Sequence, residues 1–268
     1  MDADAAPDLA AASSNAKPSG RRASRALCRV LIVVAVLLVF GRLVTAEFTF
    51  WDDHSTIFQN PSFGSPGWHT LTHHWQHPRD HIYIPLTYTV WTLLACVSQV
   101  PPDGLGVGFN PLLFHAANVC VHVGSALLVY SLLRRLLHHS MAAAFGALVF
   151  ALHPVQVESV GWISGLKDVL AGCLALATLL CFVVYRQAGR RRWLVGAMVV
   201  FVLAMLSKPA AMTAPLLLVV IDGLLLRTPW RRVAWATAPF FVLAIPIALI
   251  ARLSQPCLLY TSPSPRDA

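Results

Sequence analysis

Seven stretches of this chain are too apolar to face water along their length, at about 27–45, 112–134, 141–153, 168–186, 193–206, 211–226 and 234–253. An eighth, Tyr83–Val100, has the same character. In lipid only a helix or a closed barrel satisfies every backbone hydrogen bond, and runs of this length and apolarity are helical. Composition agrees, with 57% hydrophobic and 12% charged residues, about half the charge of an ordinary soluble domain. The expected fold class is all-α, a polytopic transmembrane helix bundle.

Charge placement sets the expected topology. The net charge is +8, but the arginines fall in short clusters between apolar runs: Arg21–Arg29, Arg134–Arg135, Arg186 with Arg190–Arg192, and Arg227 with Arg231–Arg232. Such clusters follow the positive-inside rule, so nucleic acid is not an implied partner and the lipid bilayer is. If Tyr83–Val100 does not cross, every cluster falls on the cytoplasmic side. We therefore expect about seven spans plus one re-entrant or interfacial helix, delimited by Pro85 and Pro101–Pro102. The N-terminus is then cytoplasmic, and Glu47–His81, the 153–168 stretch and "SKPAAM" at 207–212 lie on the outer face.

Residues 1–26 read as a disordered cytoplasmic tail, rich in Ala, Ser, Asp and Pro to about residue 20. The first apolar run follows Arg21, Arg22, Arg25 and Arg29 and reads as an uncleaved signal anchor, "VTA" at 44–46 being a weak cleavage signal. The bundle is expected over 27–253. The end, "SQPCLLYTSPSPRDA", has the look of a translated sequencing-adapter tail, and 254–268 are set apart as non-native. The six cysteines form no CxxC and are expected to be small core residues.

The outer segments hold the chemistry. Met141–Leu152 and Trp193–Leu206 are short for a hydrocarbon core of about 30 Å, and each ends at a proline motif, His153-Pro154 or Ser207-Lys208-Pro209. Polar backbone at membrane depth is tolerated only where it is buried in protein or lines a cavity. His153, Glu158, Lys167, Asp168 and Lys208 are thus expected to line a recess open to the outer face, since ionisable groups at that depth are functional candidates. Asp52 and Asp53, just after the first span, could act as a general base, hold a divalent cation or cap a helix. Glu158 with Lys167 or Asp168 could pair, orient one another or bind a phosphate, and Lys208 could receive a phosphate or snorkel to head groups. Gly161 and Gly165 allow close backbone approach, and Trp162 suits an interface or a sugar face. His69, His73, His74, His77 and His81 include i,i+4 pairs of metal-binding spacing, but they sit with Trp68 and Trp75 in what reads as an amphipathic surface helix. Any metal requirement is left open. Asp222, near the cytoplasmic end of its span, reads as structural.

Taken in order, the outer acidic pair "DD", then "HPVQVESVGWISGLKDVLA", then "SKPAAMTAPLLLVVID" resembles the multi-spanning part of the tetratricopeptide-containing O-mannosyltransferase-like proteins, bacterial branch, within the GT-C membrane glycosyltransferases. The likeness covers about residues 27–253. It implies transfer of a sugar from a polyprenyl-phosphate donor to a protein hydroxyl on the extracytoplasmic face of a bacterial inner membrane. By matching position, Asp52 and Asp53 inherit the catalytic carboxylate role. His153, Glu158, Lys167, Asp168 and Lys208 inherit the positioning of the donor phosphate. Two features depart from the pattern. An "RP" pair frequent in the family is replaced by "YIPL" at 83–86, with Arg79 nearby. The family's C-terminal repeat array has no counterpart here, which is expected of a fragment. A transporter shares broken helices with midplane charges, and a non-catalytic scaffold is the other alternative. The transporter reading leaves the outer acidic pair without a role.

Overall fold

The computed structural model describes residues 18–49, 51–58, 60–79, 82–102 and 108–254. Within them the chain is all-helical, with isolated bridges at Arg79–Ile82 and Gln99–Phe109 but no strand. His81 and the chain from residue 255 lie outside the described residues, as do residues 1–17 of the predicted tail.

Helix α1 spans Pro18–Phe40 and runs on through a 3-10 turn, Gly41–Thr45. After a short π-helical segment, His54–Phe58, come α2 (Trp68–Gln76) and α3 (Pro85–Val97). Helix α4 covers Pro111–Leu137, with Pro111 at its first turn and the Asn110 side chain capping the Leu112 amide, the arrangement expected at a helix start. His138, in the left-handed region, ends it. Helix α5 (Ser140–Leu152) returns antiparallel and packs closely, since a Cβ on Gly146 would lie 2.6 Å from a methyl of Leu133. A short α6 (Gln156–Gly161) leads into α7 (Leu166–Ala188), which stops at Gly189 with φ +68°. Helix α8 is Arg191–Ser207, α9 is Ala214–Val220 with a π-helical end at Ile221–Leu225, and α10 is Trp230–Ser254.

Four helical stretches are long and apolar enough to cross a membrane: Arg22–Thr45, Pro111–Leu137, Ile163–Ala188 and Trp230–Ser254. Pro85–Val97, Ser140–Leu152 and Pro209–Leu225 are apolar but shorter. The 13 residues of α5 reach about 20 Å, less than the hydrocarbon thickness. The break after α5 comes at His153-Pro154 and that after α8 at Lys208-Pro209, where the sequence placed them. Helix α3 is short too and is bounded by Pro85 at its first turn.

Helices α4 and α7 form the spine. One apolar core joins α1, α3, α4 and α5 around Trp91 and Phe114, and a second joins α7, α8, α9 and α10 around Phe182, Phe201 and Phe240. Much apolar surface faces outward, including Leu38, Phe145 and Trp235, as on a bundle whose solvent is lipid. The cysteines divide: Cys28 is buried, but Cys96 and Cys120 are exposed rather than core residues.

The two ends of the bundle differ in chemistry. At one end Arg135 donates to Gln187 and Arg186 donates to the Arg232 carbonyl, tying together α4, α7 and α10. Asp222 is also there, fully buried, bound by the Arg186 guanidinium and by the Thr228 hydroxyl at 2.8 Å. Its role is structural, since a buried carboxylate held by two partners has no open face. At the other end the chain breaks after α1, α5 and α8 come together.

Candidate functional site

Asp53 is buried and its carboxylate is fully engaged by backbone. Oδ1 accepts from the Ser164 amide at 2.7 Å, and Oδ2 accepts from Ile163 at 3.3 Å and Thr49 at 3.1 Å. The Ile163 and Ser164 amides open the short 3-10 turn, Ile163–Gly165, that leads into α7, where a carboxylate complements unpaired N–H groups. Asp53 is thus a staple between the first outer segment and the start of α7. Asp52, next along the chain, points elsewhere. Its side chain is 50% exposed, and Oδ2 lies 3.9 Å from Lys167 Nζ.

Asp52, Glu158, Lys167, Asp168 and Lys208 line one recess of about 200 Å³, with Trp162 on its wall. Five of the seven residues picked out by sequence therefore converge. Lys167 and Asp168 sit on the first turn of α7, Lys208 at the break after α8, and Glu158 on α6. Lys208 Nζ is paired with Asp168 Oδ1. The recess thus holds two ion pairs side by side, Asp52–Lys167 and Asp168–Lys208, with Glu158 as an additional carboxylate. Asp53 is not on the lining, and neither is His153. The His153 ring instead accepts from the Val155 amide at 3.2 Å and caps the turn before α6.

Close packing shapes the wall. A Cβ on Gly165 would lie 2.3 Å from the Ser159 carbonyl oxygen, so the backbone of α6 touches the start of α7 there. Gly161 meets only the Leu43 side chain, at 3.8 Å. Asn118, buried on α4, donates to the Val160 and Trp162 carbonyls and holds the same segment from below. The buried hydroxyl of Thr87 donates to the Ser207 carbonyl at 2.9 Å, which fastens α3 to the residue preceding Lys208. The close approach at Gly165 was expected from the sequence, but the Asn118 and Thr87 contacts were not, since both are polar residues inside apolar runs.

Lys167 and Lys208 also border a second space, an apolar cleft of about 460 Å³ walled by Ile84, Pro209, Met212, Ala248 and Ala251, with Arg252 on its margin. Polar recess and apolar cleft thus share two ammonium groups. The arrangement can hold an anion between the lysines, with a hydrocarbon group on one side and a carboxylate, Asp52, on the other.

The histidine cluster lies on and just after α2, away from the recess. His73 and His77 stack with ring centroids 4.9 Å apart, while His74 turns inward and stacks on Tyr88 at 4.1 Å. Burial, then the neighbouring charges of His73 and Arg79, push the His74 imidazole down to about 4. Among the described residues no group of three or more His, Cys, Asp or Glu side chains is arranged to hold a metal ion.

Comparison with known proteins gives these residues a context. The chain is 31% identical over 184 residues to the protein O-mannosyl-transferase TMTC1 of Homo sapiens, covering 64% of this chain and 19% of that protein. It is 34% identical over 125 residues to Tmtc1 of Drosophila melanogaster, covering 46% and 14%. It is 30% identical over 181 residues to TMTC4 of Homo sapiens, covering 60% and 23%. The chain therefore spans about a fifth of the length of the relatives it matches. No solved structure matches it. The profile of one family covers residues 107–255, more than half of the chain and all of α4 to α10, including Glu158, Lys167, Asp168 and Lys208. On that match the chain belongs to the dolichyl-phosphate-mannose-protein mannosyltransferase family.

Proposed function

We propose that this chain is the membrane-embedded catalytic part of a GT-C protein O-glycosyltransferase, moving a hexose from a polyprenyl-phosphate donor to a protein hydroxyl. The observation that carries this reading is the pair of lysines shared between the polar recess and the apolar cleft. A lipid-linked sugar phosphate has that division: an isoprenoid chain for the cleft, a phosphate for Lys167 and Lys208, and a sugar for the recess beside Trp162.

In this reading Asp52 is the base. The acceptor hydroxyl oxygen attacks the anomeric carbon as Asp52 takes its proton, and the bond from that carbon to the phosphate oxygen breaks with inversion. The departing lipid phosphate carries the negative charge, which Lys167 and Lys208 stabilise. Both lysines have carboxylate partners in the unliganded protein. Donor binding therefore exchanges Asp168 for phosphate at Lys208 and draws Lys167 away from Asp52, leaving that carboxylate open to the acceptor hydroxyl. Asp53 positions Asp52 and the start of α7 and does not itself exchange protons. His153 shapes the turn before α6.

The recess end faces away from the cytoplasm on our reading, with the arginine-rich end inside and seven spans plus a re-entrant α3. The bacterial branch, the bacterial inner membrane and a downstream repeat domain belong to the same proposal. The test is label transfer from radiolabelled polyprenyl-phosphate mannose to protein in membranes. Wild type transfers, and Asp52→Asn and Lys208→Ala do not, at equal expression. Transfer unaffected by both substitutions would remove the site assignment.

A further inference from the structure

One carboxylate of the recess has no partner. Asp52 faces Lys167 and Asp168 is paired with Lys208, so each ammonium already has a carboxylate. Glu158 lines the same recess, and among the described residues its side chain makes neither an ion pair nor a hydrogen bond. The segment that carries it is nonetheless fastened on three sides. The Gln156 side chain donates to the Phe150 carbonyl of α5 at 3.3 Å. Asn118 of α4 donates to the Val160 and Trp162 carbonyls, and Ser159 touches Gly165 at the entry to α7. The Trp162 amide closes α6 on the Glu158 carbonyl at 3.1 Å, so carboxylate and indole stand one helical turn apart, both on the wall of the recess.

A carboxylate so placed is unsuited to the donor phosphate, because two negative charges at close range repel. A cationic ligand is no better served, since it would share the space with the Lys167 and Lys208 ammonium groups. What a free carboxylate takes without a charge partner is a pair of O–H donors, one to each oxygen. The surroundings add two requirements. The indole of Trp162 offers an apolar face, and the recess holds only about 200 Å³. A small ring with neighbouring hydroxyls at its edge and C–H bonds on its face meets all three, and a hexose is such a ring.

We infer that Glu158 selects the sugar: its carboxylate accepts hydrogen bonds from two neighbouring ring hydroxyls while Trp162 covers the C–H face. This rests on the reading of the recess as the sugar end of a lipid-phosphate donor site. Lys167 and Lys208 then recognise any lipid phosphate alike, and the hexose is told apart at α6. The rigid attachment of α6 serves that role, since discrimination between hydroxyl patterns needs a carboxylate that does not follow the ligand.

The test is calorimetric titration of the protein in detergent with two ligands, a short-chain polyprenyl-phosphate mannose and the same polyprenyl phosphate without sugar. Glu158→Gln keeps the size of the side chain and Glu158→Ala removes it. Neither threatens the fold, because the side chain is exposed and unpartnered. Affinity for the mannosyl lipid falls about tenfold in Glu158→Gln and about a hundredfold in Glu158→Ala, from the usual worth of one and of two charge-assisted hydrogen bonds. Affinity for the sugar-free phosphate holds or rises, since a neighbouring negative charge is gone. Among mannosyl lipids that each lack one ring hydroxyl, wild type binds two analogues poorly, at neighbouring positions, and Glu158→Ala no longer distinguishes them. An equal fall for both ligands would place Glu158 with the phosphate and overturn the inference, as would no fall for either. Wild-type protein that binds neither lipid would overturn the donor-site reading, and this inference with it.

Discussion

The Asp53 carboxylate accepts a hydrogen bond from the Ser164 amide, 111 residues further along the chain, at 2.7 Å. This bond and its companion to Ile163 join the first outer segment to the start of α7, and so bring Asp52 within reach of Lys167. Adjacent carboxylates thereby separate into one held inside by backbone amides and one half-exposed at the recess.

Substitutions at the two aspartates should therefore differ in kind. Asp53→Asn replaces a charge-assisted acceptor of three backbone amides with a poorer one, and should cost about 2 kcal/mol of stability. Thermal unfolding would show this, together with loss of transfer.

Asp52→Asn should leave the unfolding temperature nearly unchanged, because a half-exposed pair at 3.9 Å contributes little. Its effect should appear in kcat, with a fall of about 10²-fold or more, as expected when a general base is removed. A large loss of stability with kcat intact would reverse the assignment of the two residues.

The Asp168–Lys208 pair gives a prediction of opposite signs. Lys208→Ala should raise the donor KM, by about tenfold for one lost charge-assisted contact to phosphate. Asp168→Asn removes the carboxylate that competes with phosphate for Lys208, so the donor KM should fall. Donor titrations on the two variants check this, and a raised KM in both would mean that Asp168 serves to hold the lysine in place.

At the far end, breaking the buried pair of Arg186 and Asp222 should be costly. Asp222→Ala strands the guanidinium and should destabilise by about 3–5 kcal/mol. A double change, Arg186→Met with Asp222→Leu, should recover much of the loss. Unfolding of the single and double variants in detergent would show whether it does.

His74 sets a pH dependence. Its folded value of about 4 is below the ordinary 6.5, so between those values the unfolded chain binds more protons than the folded one. The contribution of His74 to stability is then complete above about 6.5 and is lost as pH falls toward 4. His74→Phe should flatten stability over that window, and the wild-type imidazole should titrate near 4 by NMR. Titration near 6.5 would show that the ring is not held against Tyr88.

Much of this arrangement was legible because apolar period and proline punctuation are local. The helices at 112–134, 168–186 and 234–253 are α4, α7 and α10, and the stops at His153-Pro154 and Lys208-Pro209 lie where the sequence placed them. The convergence of Asp52, Glu158, Lys167, Asp168 and Lys208 was also foreseeable, since ionisable groups beside breaks in short helices share a reason to exist. The different settings of Asp52 and Asp53 were not legible, because they depend on amides 110 and 111 residues away. Nor was the local role of His153, whose ring caps its own turn. Arg252 on the apolar cleft escaped notice for another reason: it sits near the end of a run that reads as plain membrane helix.

The link from Thr87 to the Ser207 carbonyl bears on the length of the loop after α3. The chain between Ser98 and Asn110 is already closed on itself, by the Val100 amide on the Gly108 carbonyl and the Asn110 amide on the Ser98 carbonyl. Length added between those ties would leave α3 in place, because the ties close the loop's two ends together and Thr87 fastens α3 to the lysine-bearing break. The charges of the recess would keep their places.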